Sequence, residues 1–242
     1  MLRLSLQIHK WLALIVGLQV LFWVAGGLVM SAIPIGKVRG EHHVAEFQAS
    51  ILALDTLLTP GEAAARAGVA PFEVTLKSTP RGAYWLLKTP DGATHVVDAV
   101  TGRHPVPLQA QEARFLAGVA YEGAGHQPVA ASYHPNAPQE AGGKGPVWKV
   151  EFNDPERTAL YLSPETGEVV ARRSQLWRFY DFFWRLHILD FKTGDNFNHP
   201  LLIGLAALSL PMAITGLVAL VIRLKRDLRG YLARARRGSS AT

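Results

Sequence analysis

The sequence predicts a membrane-anchored α+β protein, in which two transmembrane helices flank a domain of two helix-plus-antiparallel-sheet repeats in tandem. Three observations predict this fold class. Residues 11–33 contain no charged side chain and no histidine, residues 201–222 are also uncharged, and two segments between them repeat each other. At about 1.5 Å per residue, either apolar run forms a helix that spans a hydrocarbon core of about 30 Å.

The charges beside the two runs predict the topology. The flanks hold one acid, Asp227, and nine basic residues: Arg3, Lys10, Arg223, Lys225, Arg226, Arg229, Arg234, Arg236 and Arg237. Because Lys and Arg resist translocation, we expect a cytoplasmic N-terminus at residues 1–10, a basic cytoplasmic tail at 223–242 and an exported middle region. The two ends together carry a charge of +8. Since the net charge of the whole chain is +6, the middle region carries about −2. This distribution predicts contact with the lipid bilayer and no nucleic-acid binding.

The first apolar run has the features of an uncleaved anchor. It is longer than the apolar core of a signal peptide, and the residues after it offer no small-x-small cleavage site. The chain contains no cysteine. The exported domain is therefore expected to fold without disulfides, and iron–sulfur and thiolate-haem chemistry are excluded.

The repeat lies in the exported region. Residues 81–103 align with residues 144–168 with a two-residue insertion, so that Trp85 matches Trp148 and the Thr-Gly pair at 101–102 matches the pair at 166–167. Both copies predict a strand, a turn, a second strand and a closing Thr-Gly turn.

A helix is predicted before each pair of strands. Thr59 and Glu62 have the spacing of a capping box, and residues 109–120 place Phe115, Leu116 and Val119 on one helical face. The two repeats are accordingly predicted at residues 40–105 and 106–172. An amphipathic aromatic helix follows at 175–191, where it is expected to lie in the membrane interface or to pack on the exported domain.

Two motifs resemble a known family. The turns VVDAVTGR at residues 96–103 and YLSPETGE at 161–168 resemble the PepSY domain, and IHKWLALIVGLQVLFWVAGGLVM at 8–30 resembles the PepSY-associated transmembrane helix. The chain departs from larger four-helix relatives in having two spans. It also has Ser163 where the turn of the first repeat has Asp98.

The resemblance implies a bacterial inner-membrane protein with two PepSY-like repeats in the periplasm. It implies an accessory, binding or regulatory subunit of a membrane redox or iron-handling complex. Two alternatives stay open: a b-type haem electron-transfer protein similar to ferric-siderophore reductases, and a periplasmic protease-regulating module.

The candidate haem ligands among the nine histidines are His187, His9 and His199. The adjacent pair His42 and His43, which lies outside the residues that the structure describes, is a further alternative at the level of His187 and His199. His9 lies at the cytoplasmic end of the first span, whereas His187 and His199 precede the second span, about 30 Å away across the bilayer. Since both axial ligands bind one iron, His9 cannot share a haem with either of them within one chain. No cofactor is assigned, and haem b is the candidate. His199 has a second interpretation, as the cap of the second span.

No catalytic or metal motif is present, since the chain has no Gly-rich phosphate loop, no G-x-S-x-G and no H-E-x-x-H. The sequence therefore predicts binding in preference to catalysis, and no metal site. Small residues at helical spacing and one amide in the apolar runs indicate helix packing against a membrane protein partner or in a homodimer. These residues are Gly27, Ser31, Ser209, Ala213 and Gln19.

Overall fold

The structure is a computed structural model of the 242-residue chain. It describes residues 2–41, 44–45, 47, 53–123 and 127–239; for residues 2–9, 12, 219 and 232–239 the description is limited to the backbone. The described chain forms two compact units. The helical unit comprises Met1–Ala32 and Asp181–Thr242, and the sheet unit comprises Ile33–Tyr180.

Two long helices dominate the helical unit. Helix α1 covers Leu2–Ala32 and helix α6 covers Pro200–Ser239, and the two are in contact. Their segments Ala13–Ala32 and Pro200–Tyr231 are long and apolar enough to cross a membrane. Both helices continue past the predicted spans, because backbone hydrogen bonding does not end where the apolar side chains end and Leu, Arg, Lys and Ala all favour helix.

The sheet unit contains helices and two antiparallel sheets. Its helices are α2 (Ile35–Val38), α3 (Pro60–Ala67), α4 (Ala110–Ala120) and the first part of α5 (Gln175–Ile188). The first sheet has the order β1 (Glu73–Thr79), β2 (Gly82–Lys88), β3 (Thr94–Asp98). The second has the order β4 (Pro128–His134), β5 (Val147–Phe152), β6 (Ala159–Leu162), β7 (Val169–Arg173). The predicted combination of helices with antiparallel sheets is confirmed.

Helix α3 starts as the sequence predicts. The Thr59 side chain accepts a hydrogen bond from the Glu62 backbone N–H, and the Glu62 carboxylate accepts one from the Thr59 backbone N–H at 2.8 Å. Pro60 occupies the first helical position, and Gly68 ends the helix in the left-handed region at φ 68°. These local interactions satisfy backbone groups that a short helix leaves unpaired at its ends.

Each sheet packs its helix through small side chains. Ala63 of α3 is completely buried with Leu87 and Val97 of the first sheet. Ala113 and Ala117 of α4 are completely buried with Val150, Leu160 and Leu162 of the second sheet. Alanine at the contact lets the helix backbone approach the sheet closely, so the larger β residues fill the core.

Each of the two sheets has the same kind of tertiary contact with the chain just before its helix. The indole N–H of Trp85 donates to the Leu58 carbonyl just before α3, at 3.1 Å, and that of Trp148 donates to the Leu108 carbonyl just before α4, at 3.0 Å. The backbone N–H of Leu58 in turn donates to Ala99, and that of Leu108 to Pro164, at 2.8 and 2.7 Å. Each contact joins a residue just before the helix to a strand or closing turn of its own sheet.

The closing turns also correspond. Gly102 donates its N–H to the Asp98 carbonyl at 2.8 Å, and Gly167 donates to the Ser163 carbonyl at 3.0 Å. In both turns the first side chain accepts a backbone hydrogen bond from the threonine. An Asp98 carboxylate oxygen accepts the Thr101 N–H at 2.7 Å, and the Ser163 hydroxyl accepts the Thr166 N–H at 3.3 Å. Serine in the second turn therefore accepts the corresponding backbone hydrogen bond at a longer distance than aspartate in the first.

Candidate functional site

An apolar groove runs along the outer side of α4 in the sheet unit. Its volume is about 470 Å³. One wall is α4 itself and the other comes from the segment around Val44 and from the second closing turn; the lining includes Phe47, Phe115, Leu116, Val119, Val169 and Arg172. A second depression of about 400 Å³ adjoins the same helix and shares Phe115 and Val119 with the groove.

Helix α4 places large apolar side chains on its outer face. Phe115 is 67% exposed and Val119 is 66% exposed, whereas Ala113 and Ala117 face the sheet and are completely buried. The helical spacing predicts that Phe115, Leu116 and Val119 lie on one face. In the structure Leu116 packs partly on the core, whereas Phe115 and Val119 point outward. Exposed neighbouring apolar side chains of this size are typical of surfaces that another molecule covers.

Charged side chains border the groove. The Arg172 Nε atom is buried and has no hydrogen-bond partner among the described residues. Glu168, on the same wall, forms an ion pair with Lys77 at 2.9 Å. The groove thus combines mainly apolar side chains with two charged ones, a composition that is usual for ligand and partner sites.

A buried hydrogen-bond network holds the end of α4. The Tyr121 hydroxyl donates to Asp154 Oδ2 at 2.7 Å, and the backbone N–H of Thr158 donates to Asp154 Oδ1 at 2.7 Å. The Tyr121 ring stacks on Phe152, with ring centroids 4.2 Å apart. Burial and then the hydrogen bond to Asp154 raise the pKa of Tyr121 to about 12. The sequence offered no signal for this network, because its members lie 33 residues apart.

His187 lies on the inner side of α5, within the helical unit. The indole N–H of Trp23 in α1 donates to the His187 carbonyl at 2.8 Å. His187 Nδ1 is buried without a hydrogen-bond partner among the described residues, and it lies 3.6 Å from the position that a Cβ on Gly26 would occupy. The sequence singled out this histidine, and the structure places its ring against α1.

His199 takes part in capping α6. Its Nδ1 accepts the Leu201 backbone N–H at 3.3 Å, and its carbonyl accepts the Ile203 N–H at 3.1 Å. Since Nδ1 accepts, the proton of the neutral ring sits on Nε2, which then has no lone pair for a metal. The side chain of the third candidate, His9, lies outside the described residues. The prediction of a haem site stays a prediction.

The residues predicted to pack helices occupy different environments. Gln19 is 7% exposed, and its Nε2 has no partner in the described part of the chain. An added Cβ on Gly27 would meet nothing within 4 Å, and Ser31 and Ala213 are exposed. Ser209 donates to the Leu205 carbonyl of its own helix at 2.7 Å. Exposed small residues leave these helix faces open to another helix.

A turn that the sequence did not single out joins α5 to α6. The Asp190 carboxylate accepts hydrogen bonds from the Thr193 hydroxyl and from five backbone N–H groups: Lys192, Thr193, Gly194, Asp195 and Asn196. The Thr193 hydroxyl first, and then these N–H groups, hold the pKa of Asp190 far below its usual value. The run of turn-forming residues, TGDN at 193–196, is the signal that could have located it.

Among the residues that the structure describes, no group of three or more His, Asp or Glu side chains is placed to hold a metal ion.

No curated protein and no solved structure matches the chain. One family does: the family described as PepSY-associated TM region matches residues 6–242. This match confirms the resemblance seen in the opening apolar run and, together with two helices long and apolar enough to cross a bilayer, identifies a membrane protein. The chain belongs to the PepSY-associated TM region family.

Proposed function

We propose that this protein is a membrane-anchored binding subunit that holds a partner protein on the outer face of α4. The observation that carries the proposal is the exposure of Phe115 and Val119 beside the apolar groove. Aromatic side chains next to a pocket are the usual centres of binding energy in protein interfaces. The partner is proposed to be a subunit of a membrane redox or iron-handling complex, the setting that the family resemblance implies.

A comparison of the two helices supports this assignment. Ala63 and Ala113 are both completely buried and both lie four residues after the residue that precedes their helix. Two residues further on, α3 has the small residue Ala65 where α4 has Phe115. Because α3 packs on its sheet without a large outer side chain, the fold itself does not require Phe115 to be aromatic. Binding is the remaining reason for this side chain.

We also propose that the two sheets are tandem PepSY repeats. The support is the matching pair of indole hydrogen bonds from Trp85 and Trp148 and the matching geometry of the two closing turns. In this proposal the second repeat keeps the fold and adds a docking face.

The orientation follows from charge. The protein is proposed to lie in the bacterial inner membrane with both termini cytoplasmic and the sheet unit in the periplasm, because the basic residues concentrate at the two ends of the chain. Accordingly, the α4 surface would meet partners on the periplasmic side.

The test is site-specific photocrosslinking in native membranes. A benzoylphenylalanine at position 119 is expected to give one discrete crosslinked product, which Phe115→Glu abolishes because a carboxylate would have to be buried in the interface. Phe72 is the matched control, since it is 64% exposed and lies outside the groove. Phe72→Glu is expected to leave the crosslink intact.

The identity of the crosslinked protein distinguishes between the proposed kinds of partner. A redox or iron-handling membrane subunit agrees with the leading proposal, and a peptidase agrees with the alternative of a protease-regulating module. An absence of any specific product at position 119, with the protein folded, contradicts the binding function.

The haem alternative rests on His187, whose buried Nδ1 lacks a hydrogen-bond partner among the described residues. A buried polar atom without a hydrogen-bond partner is rare in proteins, and a redox role is one of the recognised reasons for it. When bound, haem b would supply one-electron transfer through its iron. The test is the visible spectrum of the mildly solubilised protein, oxidised and then reduced. Soret and α bands that His187→Ala removes would support haem, and a featureless spectrum would reject it for the isolated chain.

A further inference from the structure

Two histidines lie side by side at the edge of the first sheet. His95 belongs to β3, the last strand of that sheet, and His104 follows the first closing turn. Their ring centroids are 6.3 Å apart, and the ring planes are inclined by 53°. His95 is half-buried and His104 is exposed, so solvent reaches the pair. Neither histidine takes part in the α4 groove.

The closing turn is what brings them together. The Asp98 N–H donates to the Arg103 carbonyl at 2.9 Å, and Gly102, at φ 69°, adopts the left-handed conformation that the reversal needs. After the turn the chain runs back beside β3. Since alternate residues of a strand share a face, His95 lies on the same face as Val97. His104 returns beside this part of the strand.

The ring of His104 is held in one tautomer. Its Nδ1 lies 3.0 Å from the Val96 carbonyl oxygen. A carbonyl can only accept a hydrogen bond, so Nδ1 carries the proton and the lone pair of the neutral ring is on Nε2. A ring nitrogen bonded to a backbone carbonyl, with the other nitrogen free, is the usual arrangement of a metal-binding histidine.

A carboxylate adds negative charge near the pair. Asp91 lies close enough to His95 for their charges to interact. The Thr89 hydroxyl donates to its Oδ1 at 2.5 Å and the Ala93 N–H at 3.2 Å. A fixed negative charge favours a nearby cation.

We propose that His95 and His104 together bind a divalent transition metal ion, Zn²⁺ or Cu²⁺, at the edge of the first sheet. Imidazole nitrogen is a preferred ligand for both ions. With metal–nitrogen bonds of about 2.0–2.1 Å, two imidazoles on one ion have centroids roughly 5–6 Å apart, so a small rotation of one ring closes the site. The described residues provide no third protein ligand of this kind. Water or a group from a bound molecule completes the coordination.

The test uses the full-length protein in detergent, freed of metal and titrated with Zn²⁺ and Cu²⁺ by calorimetry. His42 and His43 are replaced by Gln in every sample, so that this adjacent pair contributes no signal. We expect one site per chain with Cu²⁺ bound more tightly than Zn²⁺, and no binding of Mg²⁺, which prefers oxygen ligands. His95→Gln and His104→Gln are each expected to weaken binding by at least about tenfold.

His134→Gln is the matched control, because His134 is another accessible histidine of the sheet unit, and its Nε2 is already 3.1 Å from the Ser132 hydroxyl. It should bind metal as the parent does. Unfolding curves without metal verify that the variants are folded. Unchanged affinity in either His95→Gln or His104→Gln would overturn the paired site, and so would a parent protein that binds neither ion.

Discussion

At the scale of single residues, Tyr121 joins α4, the helix with the proposed docking face, to the turn between β5 and β6. Its hydroxyl bonds the buried Asp154, and its ring stacks on Phe152. Replacement by phenylalanine keeps the ring and removes the hydroxyl. The change therefore removes the interactions of the hydroxyl, among them the hydrogen bond to the carboxylate of Asp154 in the sheet unit.

We predict that Tyr121→Phe lowers the free energy of unfolding at pH 7 by about 1.5–3 kcal/mol, the usual value for a hydrogen bond to a charged group. Denaturant unfolding of the full-length protein, followed by tryptophan fluorescence, measures this difference. A lower m-value together with lower stability would indicate a wider rearrangement, and the difference would then not report on the hydroxyl alone.

The same pair of proteins should show a pH dependence. The pKa of Tyr121 is raised from an ordinary value near 10 to about 12 in the folded protein. Its contribution is therefore fully present below pH 10 and is lost as the pH rises toward 12, because the unfolded chain ionises first. The stability difference between the wild type and Tyr121→Phe should shrink across this window. A difference that stays constant would contradict the assignment of the raised pKa to Tyr121.

Residues whose partners are close in sequence could be predicted, and residues with distant partners could not. The capping box of Thr59 and Glu62 spans three residues, so spacing alone identified it, and the structure confirms it. Alignment of the two segments predicts that Trp85 and Trp148 occupy equivalent positions. Their hydrogen-bond partners lie 27 and 40 residues away, where neither spacing nor periodicity carries information.

At the scale of elements, α4 shows what amphipathic periodicity leaves undecided. The pattern located the helix at 109–120, and the structure has it at Ala110–Ala120. Periodicity identifies an apolar stripe but does not distinguish a stripe that faces a core from one that faces a partner. In α4 the alanines face the sheet, and the comparison with α3 was the signal that could have shown this.

The ends of the long helices could not be read from hydropathy either. An apolar run predicts which part of a helix lies in the bilayer. The helix itself continues for as many residues as form backbone hydrogen bonds and have side chains that favour helix. Helix α5 ends at Ile188, three residues before the predicted end, where Leu189 adopts φ 58°. A positive φ on a leucine is a tertiary effect, which sequence propensity argues against.

At the scale of the whole molecule, the proposed topology has a direct test, because the chain contains no cysteine. We predict that a membrane-impermeant maleimide labels Thr75→Cys in intact cells of a Gram-negative host and labels Ala241→Cys only after lysis. Thr75 is an exposed residue of β1 and so is accessible to the reagent. The reverse pattern would place the sheet unit in the cytoplasm and would contradict the charge-based orientation.

The length of α6 has a structural consequence. Its 40 residues form one helix of about 60 Å, roughly twice the thickness of a hydrocarbon core. The helix continues past its apolar segment into the basic residues Arg223, Lys225 and Arg226, and Pro211 inside it donates no backbone hydrogen bond. The helix is thus longer than one crossing of the bilayer requires, and its basic C-terminal part projects beyond the hydrocarbon core.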